Sequence, residues 1–428
     1  MSQSTKTFYG WWIVCAAFIF MFMIVGFVTY GLPQFYPQYV AEFGWLRADI
    51  QFGNAISRVI VGPLFGFLAG LAIDRAGPRR VIVAGAACAG IALIGFSLMN
   101  SLTELYIFYF FNAFGYVLAG PLPCQVLLSN WFARLRGRVM GIAYVGIGVG
   151  GAIVPWIIRS FNDAFGWRMS LRILGVIIFV TITLLAILVV KHRPADLGLL
   201  PDGDAEKPET AQKVEKTISL IRVLRTPAFW LLAVGSVLSI ASVGGVIQNL
   251  PLYITDITAK DQAALRISTV SSLVLGSSIA GRLIMGYLAD RLTKKNVMLA
   301  TYLIVAFSIP LLVLARYYPP LIYVFAVTFG FGLGADYMLI PLMAAECFGL
   351  SSLSRILGLI ITSDSVGEAM MPFVVARVRD VSGSYAWGFM MLAVTALIGA
   401  FAISLIRYRN GVPVSRIQLE EESEIVKT

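Results

Sequence analysis

Twelve apolar runs, each long enough to cross a lipid bilayer, decide what this chain can become. They lie near 10–34, 48–73, 81–100, 103–130, 139–160, 169–190, 228–254, 267–289, 297–315, 320–347, 354–376 and 385–406. About 20 helical residues span the hydrocarbon, where every backbone amide must be satisfied within its own helix or around a closed barrel. The runs are continuous rather than alternating, so a barrel is excluded and helices remain. Only 13% of the 428 residues are charged, about half the share of a soluble protein, and the mean hydropathy is +0.83. No soluble core buries that much apolar surface; the bilayer is the solvent. The first run is expected to stay in place rather than be cleaved as a signal peptide. It is too long, no basic stretch precedes it and no small-residue cleavage site follows. Cys15, Cys88, Cys124 and Cys347 are scattered along the runs with no metal or disulfide spacing, and read as small packing residues.

A net charge of +10 raises the question of nucleic acid, but its distribution answers otherwise. With the N-terminus placed inside, 22 of the 33 Lys and Arg fall on the inner side, 9 on the outer, and two, Arg58 and Arg282, inside helices. This is the positive-inside asymmetry. Both termini and the 191–226 loop are expected in the cytoplasm, and no nucleic-acid partner is expected.

The polar central loop, carrying Pro194, Pro201 and Pro208, divides the helices six and six. The halves match at an offset of 216 to 218 residues. Trp12 corresponds to Trp230, Leu32-Pro33 to Leu250-Pro251, Asp74-Arg75 to Asp290-Arg291, Phe132 to Phe348, Arg138 to Arg355, Gly141 to Gly358 and Pro155 to Pro372. Such a row argues for duplicated six-helix units related by an axis along the membrane normal. The expected parts are an N-terminal bundle (1–190), a cytoplasmic linker (191–226), a C-terminal bundle (227–408) and a cytoplasmic tail (409–428), acidic at 419–424. A duplication of this kind puts the substrate site between the halves, near the midplane.

The loop Gly70-Leu-Ala-Ile-Asp74-Arg75-Ala-Gly77-Pro-Arg79-Arg80 resembles the G-x3-D-R-x-G-x-R-R loop of the major facilitator superfamily. A degenerate copy, Gly286-Tyr-Leu-Ala-Asp290-Arg291, follows helix 8. The resemblance implies an all-α membrane protein of twelve helices in two six-helix bundles. Gly77 permits a tight turn. Asp74, Arg75, Arg79, Asp290 and Arg291 are expected to pair across the inner faces and gate the conformational change.

A narrower resemblance runs along the whole chain. Phe8-Tyr-Gly-Trp-Trp12, Arg193-Pro-Ala-Asp-Leu-Gly-Leu-Leu-Pro-Asp202-Gly, Leu224-Arg-Thr-Pro-Ala-Phe-Trp230 and Ala280-Gly-Arg-Leu-Ile-Met-Gly286 occur in the order of the monocarboxylate-porter and oxalate/formate-antiporter branch. That resemblance implies small organic anions as substrates. An arginine at the place of Arg282 binds the substrate carboxylate there, and a tyrosine matching Tyr337 lines the anion site. The sequence departs from the branch twice. Asp364 stands where the oxalate/formate antiporters carry a lysine, and the helix-1 lysine of mammalian-type monocarboxylate porters is absent, since Lys6 precedes the helix.

Ionisable residues inside spanning helices cost about 2.5–3.5 kcal/mol on insertion scales and mark function by default. Arg282 lies eight residues before Asp290, about 12 Å from the inner end of helix 8. Its fork suits a carboxylate; a structural ion pair is the alternative. Asp364 and Asp336, at similar depth, are the proton-coupling candidates, with a fixed salt bridge or a hydrogen bond to a helix end as the alternative for Asp364. Tyr337 points about 100° away from Asp336 on the helix wheel and is either a substrate contact or packing. Tyr30, beside Thr29, is the helix-1 candidate for substrate contact, a gate or packing. Arg58 either attracts anions or pairs with an outer acid. Glu368, one turn after Asp364, extends a proton path outward. Glu346 and His192 read as structural and interfacial. The glycines of helix 5, Gly141, Gly146, Gly148, Gly150 and Gly151, permit close helix approach.

Together these readings predict a secondary transporter of small monocarboxylates, lactate- or pyruvate-like, coupled to protons and working by alternating access. Anion antiport, efflux of amphipathic compounds and a membrane sensor without flux stay open. Nothing resembles an ATP site, and no nucleophile–base arrangement appears, so neither a pump nor an enzyme is expected, nor any metal or cofactor. The expected partners are a small carboxylate, protons and lipid, with the chain a monomer in a bacterial inner membrane.

Overall fold

The computed structural model describes residues 8–132, 135–203, 220–348, 353–409 and 412–415. The acidic segment 419–424, much of the central loop, and the side chains of Asp74 and Asp290 lie outside what is described.

Proline and glycine punctuate the helices. α1 (Gly10–Phe43) is composite: α-helical to Met21, π-helical over Phe22–Gly31, 3₁₀ over Leu32–Phe35, then α-helical again from Tyr36. It outruns its expected end because Pro33 and Pro37 each open a helical piece, where no amide is needed from the ring nitrogen. α2 (Arg47–Ala76) and α3 (Pro78–Leu98) are separated by Gly77 alone, whose φ of +80° few side chains accept and whose N–H donates to Ile73 O at 2.9 Å. α4 (Leu102–Trp131) bends at Gly120. α5 (136–165) and α6 (167–188) meet at Gly166, whose φ of +74° breaks an otherwise continuous 53-residue helix. The second half holds α7 (Pro227–Ile257), α8 (Lys260–Arg291), α9 (Lys294–Ala315), α10 (Leu321–Phe348), α11 (Leu353–Ser382) and α12 (Tyr385–Ser404). Beside the six-residue helix Leu220–Arg225 and short 3₁₀ turns, the described residues therefore give twelve long helices, as the sequence predicts. After α12 a short hairpin pairs β1 (Tyr408–Arg409) with β2 (Val412–Pro413), where only a tail was expected. Phe307, Leu283, Phe401 and Leu188 stand two-thirds exposed, an arrangement that suits lipid rather than water.

Packing divides the chain into two compact units, Met1–Trp45 with Ile60–Thr210, and Leu46–Val59 with Ala211–Thr428. In the first, α1 packs on α5 and α3 on α4 and α6. A Cβ at Gly146 would lie 2.4 Å from Phe18 O, and one at Gly150 2.8 Å from Phe22 O, so these two glycines do admit α1. Gly141 meets nothing within 4 Å, so the close-approach expectation does not extend to it. In the second unit the same pairings recur as α7 on α11 and α9 on α10 and α12. The first half of α2 belongs to this unit and is tied to it. Arg47 makes a bidentate pair with Asp256 at 2.8 and 2.5 Å, the N–H of Ala48 donates to Asp380 at 2.9 Å, and Gln51 donates to Gln248 O at 3.0 Å. Arg379 shares Asp256 at 3.1 Å.

Candidate functional site

The polar interior of the second unit is built around two acids and two serines. Ser236 and Ser239 stand three residues apart on α7, on one face. Ser239 Oγ donates to Asp336 Oδ2 of α10 at 2.8 Å, and Ser236 Oγ to Asp364 Oδ1 of α11 at 2.7 Å. Asp336 is wholly buried and Asp364 2% exposed. Asp364 Oδ2 has no hydrogen-bond partner, and Asp336 has none beyond Ser239 other than the Tyr302 phenol. Tyr302 of α9 is fully buried with its phenol beside Asp336. Asp364 lies within electrostatic reach of both Asp336 and Glu368. Asp364 is thus coupled both to the buried Asp336 and to the part-exposed Glu368.

Tyr337 turns the other way. It is 47% exposed, and its hydroxyl donates to Glu368 Oε2 at 2.7 Å. The other oxygen of Glu368 lies 3.7 Å from Arg58 Nη1. The structure thus separates the neighbours Asp336 and Tyr337, as their angle on the helix predicts. It joins Tyr337 to Glu368, which the sequence reading left off the substrate site.

Arg282 is half-buried on α8, and its Nε donates to Gly334 O of α10 at 3.3 Å. The two helices touch backbone to backbone here. A Cβ at Gly281 would sit 1.9 Å from Phe331 O, and one at Gly334 1.9 Å from Ser278 O. Small residues at the crossing bring Arg282 one turn or less from the height of Asp336.

In the first unit, Tyr30 and Thr29 fall in the π-helical stretch of α1, a conformation found as a bulge at functional sites. Tyr30 is half-buried, while Thr29 is buried with its hydroxyl unsatisfied. In the 2–3 loop Arg75 and Arg79 are exposed, and the ring of His192 packs over the Gly77 turn. The Arg291 guanidinium stacks on Tyr287 at 4.3 Å. Glu346 pairs with Lys294 at 3.5 Å, the structural role expected of it. Among the described residues no group of three His, Cys, Asp or Glu side chains is placed to hold a metal.

Ser236, Ser239 and Tyr302 escaped the sequence reading. The i, i+3 spacing of the serines was visible in an apolar run, but not the acids they face.

The Major Facilitator Superfamily profile matches residues 16–265 and 258–427. The membrane sensor protein UhpC of Salmonella typhimurium is 25% identical, covering 87% of this chain and 86% of its own. Monocarboxylate transporter 12 of Rattus norvegicus is 25% identical over 95% of this chain and 88% of its own, and the glycerol-3-phosphate transporter of Bacillus subtilis 25% over 90% and 91%. Among solved structures, a bacterial homolog of the human lysosomal transporter Spinster, inward-facing and unoccupied, superposes with a TM-score of 0.72 at 14% identity, covering 94% of this chain and 97% of its own. The nucleoside transporter NupG gives 0.74 at 12% identity, with coverage of 92% and 99%.

Proposed function

The chain belongs to the Major Facilitator Superfamily, and from that premise we propose that it is a secondary transporter of small monocarboxylates, lactate- or pyruvate-like, moving each anion with a proton. The observation that carries this reading is the pair of enclosed carboxyls, Asp336 and Asp364. Each is buried and held by a serine hydroxyl, a neutral setting that suits a carboxyl able to take up and release a proton. Arg282, on the same helix bundle and permanently cationic, is the anion's partner, with Tyr337 as a second contact; Tyr30 of α1 is a further substrate-contact residue. Asp74, Arg75, Gly77, Arg79, Asp290 and Arg291 act in gating. Two of the named relatives carry anions by name, a monocarboxylate and glycerol 3-phosphate, which supports an anionic substrate.

The test is uptake into liposomes holding the purified protein. An inward proton gradient should drive lactate accumulation, and an uncoupler should abolish it. Uptake indifferent to the uncoupler but stimulated by internal anion would make the protein an antiporter instead. Arg282→Ala should cost about 2–5 kcal/mol of carboxylate binding, about 30-fold or more. Arg282→Lys should restore it only in part, because an ammonium lacks the planar fork. Undiminished uptake by Arg282→Ala would remove the site assignment. The UhpC relative, a sensor by name, gives the second reading its weight. A sensor would bind lactate or an organophosphate with no net flux in the same vesicles.

A further inference from the structure

At the end of the second unit away from the terminal hairpin, the ends of α7, α9, α11 and α12 enclose a cavity of about 320 Å³. Pockets for small ligands begin at about 300 Å³. The polar wall is made by Asp256 of α7, Arg316 and Tyr317 just past α9, Arg379 of α11, and Ser384 and Ala386 at the start of α12. The cavity is remote from the buried acids: Asp256 follows Ser239 by 17 residues on α7, about 25 Å.

The acids beside this cavity are already occupied. Asp256 holds Arg47 at 2.8 and 2.5 Å and Arg379 at 3.1 Å. Asp380 accepts from the Ala48 amide at 2.9 Å and lies 3.8 Å from Arg379. Three arginines, with Arg316, thus stand against two carboxylates. Arg316 is the surplus charge. Among the described residues it pairs with no acid, and its charge is felt by the Tyr253 phenol, whose own proton goes to the Leu312 carbonyl. The first turn of α12 adds partial positive charge to the same wall.

Two apolar stripes lead to this cavity. On α12, Trp387, Met390, Val394, Ile398 and Phe401 are all exposed and recur every three to four residues, so they line one face. The stripe starts beside Ala386, in the cavity wall. On α9, Phe307 and Leu314 are exposed and lead to Tyr317. Tyr317 and Trp387 are each 72% exposed, and such amphipathic rings settle at the level of lipid headgroups.

We propose that this cavity binds the phosphate of a membrane phospholipid, with Arg316 as its cationic partner and the acyl chains laid along the stripes of α9 and α12. A phosphodiester carries one negative charge, which balances the one surplus arginine, and its oxygens match the guanidinium fork. The Tyr317 hydroxyl is the neutral donor at the mouth. A soluble anion would satisfy Arg316 equally but would leave the stripes unused, so the lipid is the better fit. The site does not depend on what the protein transports.

The experiment is native mass spectrometry of the purified full-length protein in detergent, titrated with phosphatidylglycerol or with diacylglycerol of the same chains. The wild type should retain phosphatidylglycerol and not diacylglycerol. Arg316→Gln should weaken retention by about fivefold, the contribution of one arginine at a membrane surface, and Arg316→Lys should restore it in part. Arg377→Gln removes an exposed arginine of α11 that does not line the cavity, and should retain the lipid within about twofold of the wild type. Prior equilibration with excess inorganic phosphate should leave retention unchanged. Loss of the lipid to free phosphate would make this a site for soluble anions and overturn the proposal. Equal retention by Arg316→Gln and the wild type, an equal loss in Arg377→Gln, equal binding of diacylglycerol, or no retained phosphatidylglycerol at all would overturn it too. None of these results touches the carboxylate reading, which lactate uptake tests separately.

Discussion

Ser236 has one hydroxyl proton and two acceptors within reach, Asp364 Oδ1 at 2.7 Å and the Ala233 carbonyl at 3.1 Å. With Asp364 ionised, the proton belongs to the carboxylate. With Asp364 protonated, the hydroxyl turns back to its own helix, a bond that serines make readily in spanning helices. With the acid's own proton on Oδ1 and donated to Ser236 Oγ, neither state orphans a buried donor, so the pocket serves both. The expected consequence is that Asp364→Asn, which keeps a partner for Ser236 but carries no exchangeable charge, still exchanges lactate across liposomes yet no longer accumulates it. Under a one-unit inward pH gradient the accumulation ratio should drop from about tenfold to about one. Accumulation that survives would move the coupling proton to Asp336. The acids were legible in the sequence because an ionisable group in an apolar run stands out. Their serines were not, because a serine in a membrane helix more often bonds its own backbone, as Ser278 does to Leu275 O at 2.6 Å.

Helix existence was legible and helix shape was not. Length and apolarity mark a spanning segment because the bilayer sets both, and Gly77 was readable as a turn because Asp74-Arg75 and Arg79-Arg80 bracket it. The π-helical stretch of α1 has no such mark, since Phe22–Gly31 is as apolar as its neighbours. The α8–α10 crossing is likewise a property of two helices together, and its glycines are a signal only once the partner is known. A side chain at Gly334 has nowhere to go but into the Ser278 carbonyl. Gly334→Ala should therefore part the two helices and destabilise the protein by about 1–3 kcal/mol, seen as a lower unfolding midpoint in detergent and weaker lactate binding through the displaced Arg282. Gly141→Ala, with open space around its Cβ, is the comparison and should leave the midpoint unchanged or slightly raised. Equal midpoints for the two variants would mean that the close approach is not a constraint on this crossing.

At the scale of the whole molecule, the charge asymmetry is the property from which orientation follows. Each Lys or Arg resists crossing the bilayer during insertion, and the effect is strongest for short loops near helix ends. The short 2–3 and 8–9 connections fit that rule: Arg75, Arg79 and Arg80 flank the first, and Arg291, Lys294 and Lys295 the second. Two of these residues are also used locally. Lys295 Nζ bonds the carbonyls of Ser404 and Ile406, both at 2.7 Å, which closes the last carbonyls of α12 where a cation is favoured. Lys294 pairs with Glu346 at the end of α10. The same side of the second unit is thus both the basic side and the one where the chain leaves α12. If that side is cytoplasmic, the connection between α5 and α6 is outside and the segment after α6 is inside. In a variant without its four native cysteines, Asp163→Cys should react with a membrane-impermeant maleimide in intact cells. Leu199→Cys should react only after the cells are permeabilised. The reverse pattern would turn the molecule over in the membrane, and the 22-to-9 division of basic residues would then no longer explain its orientation.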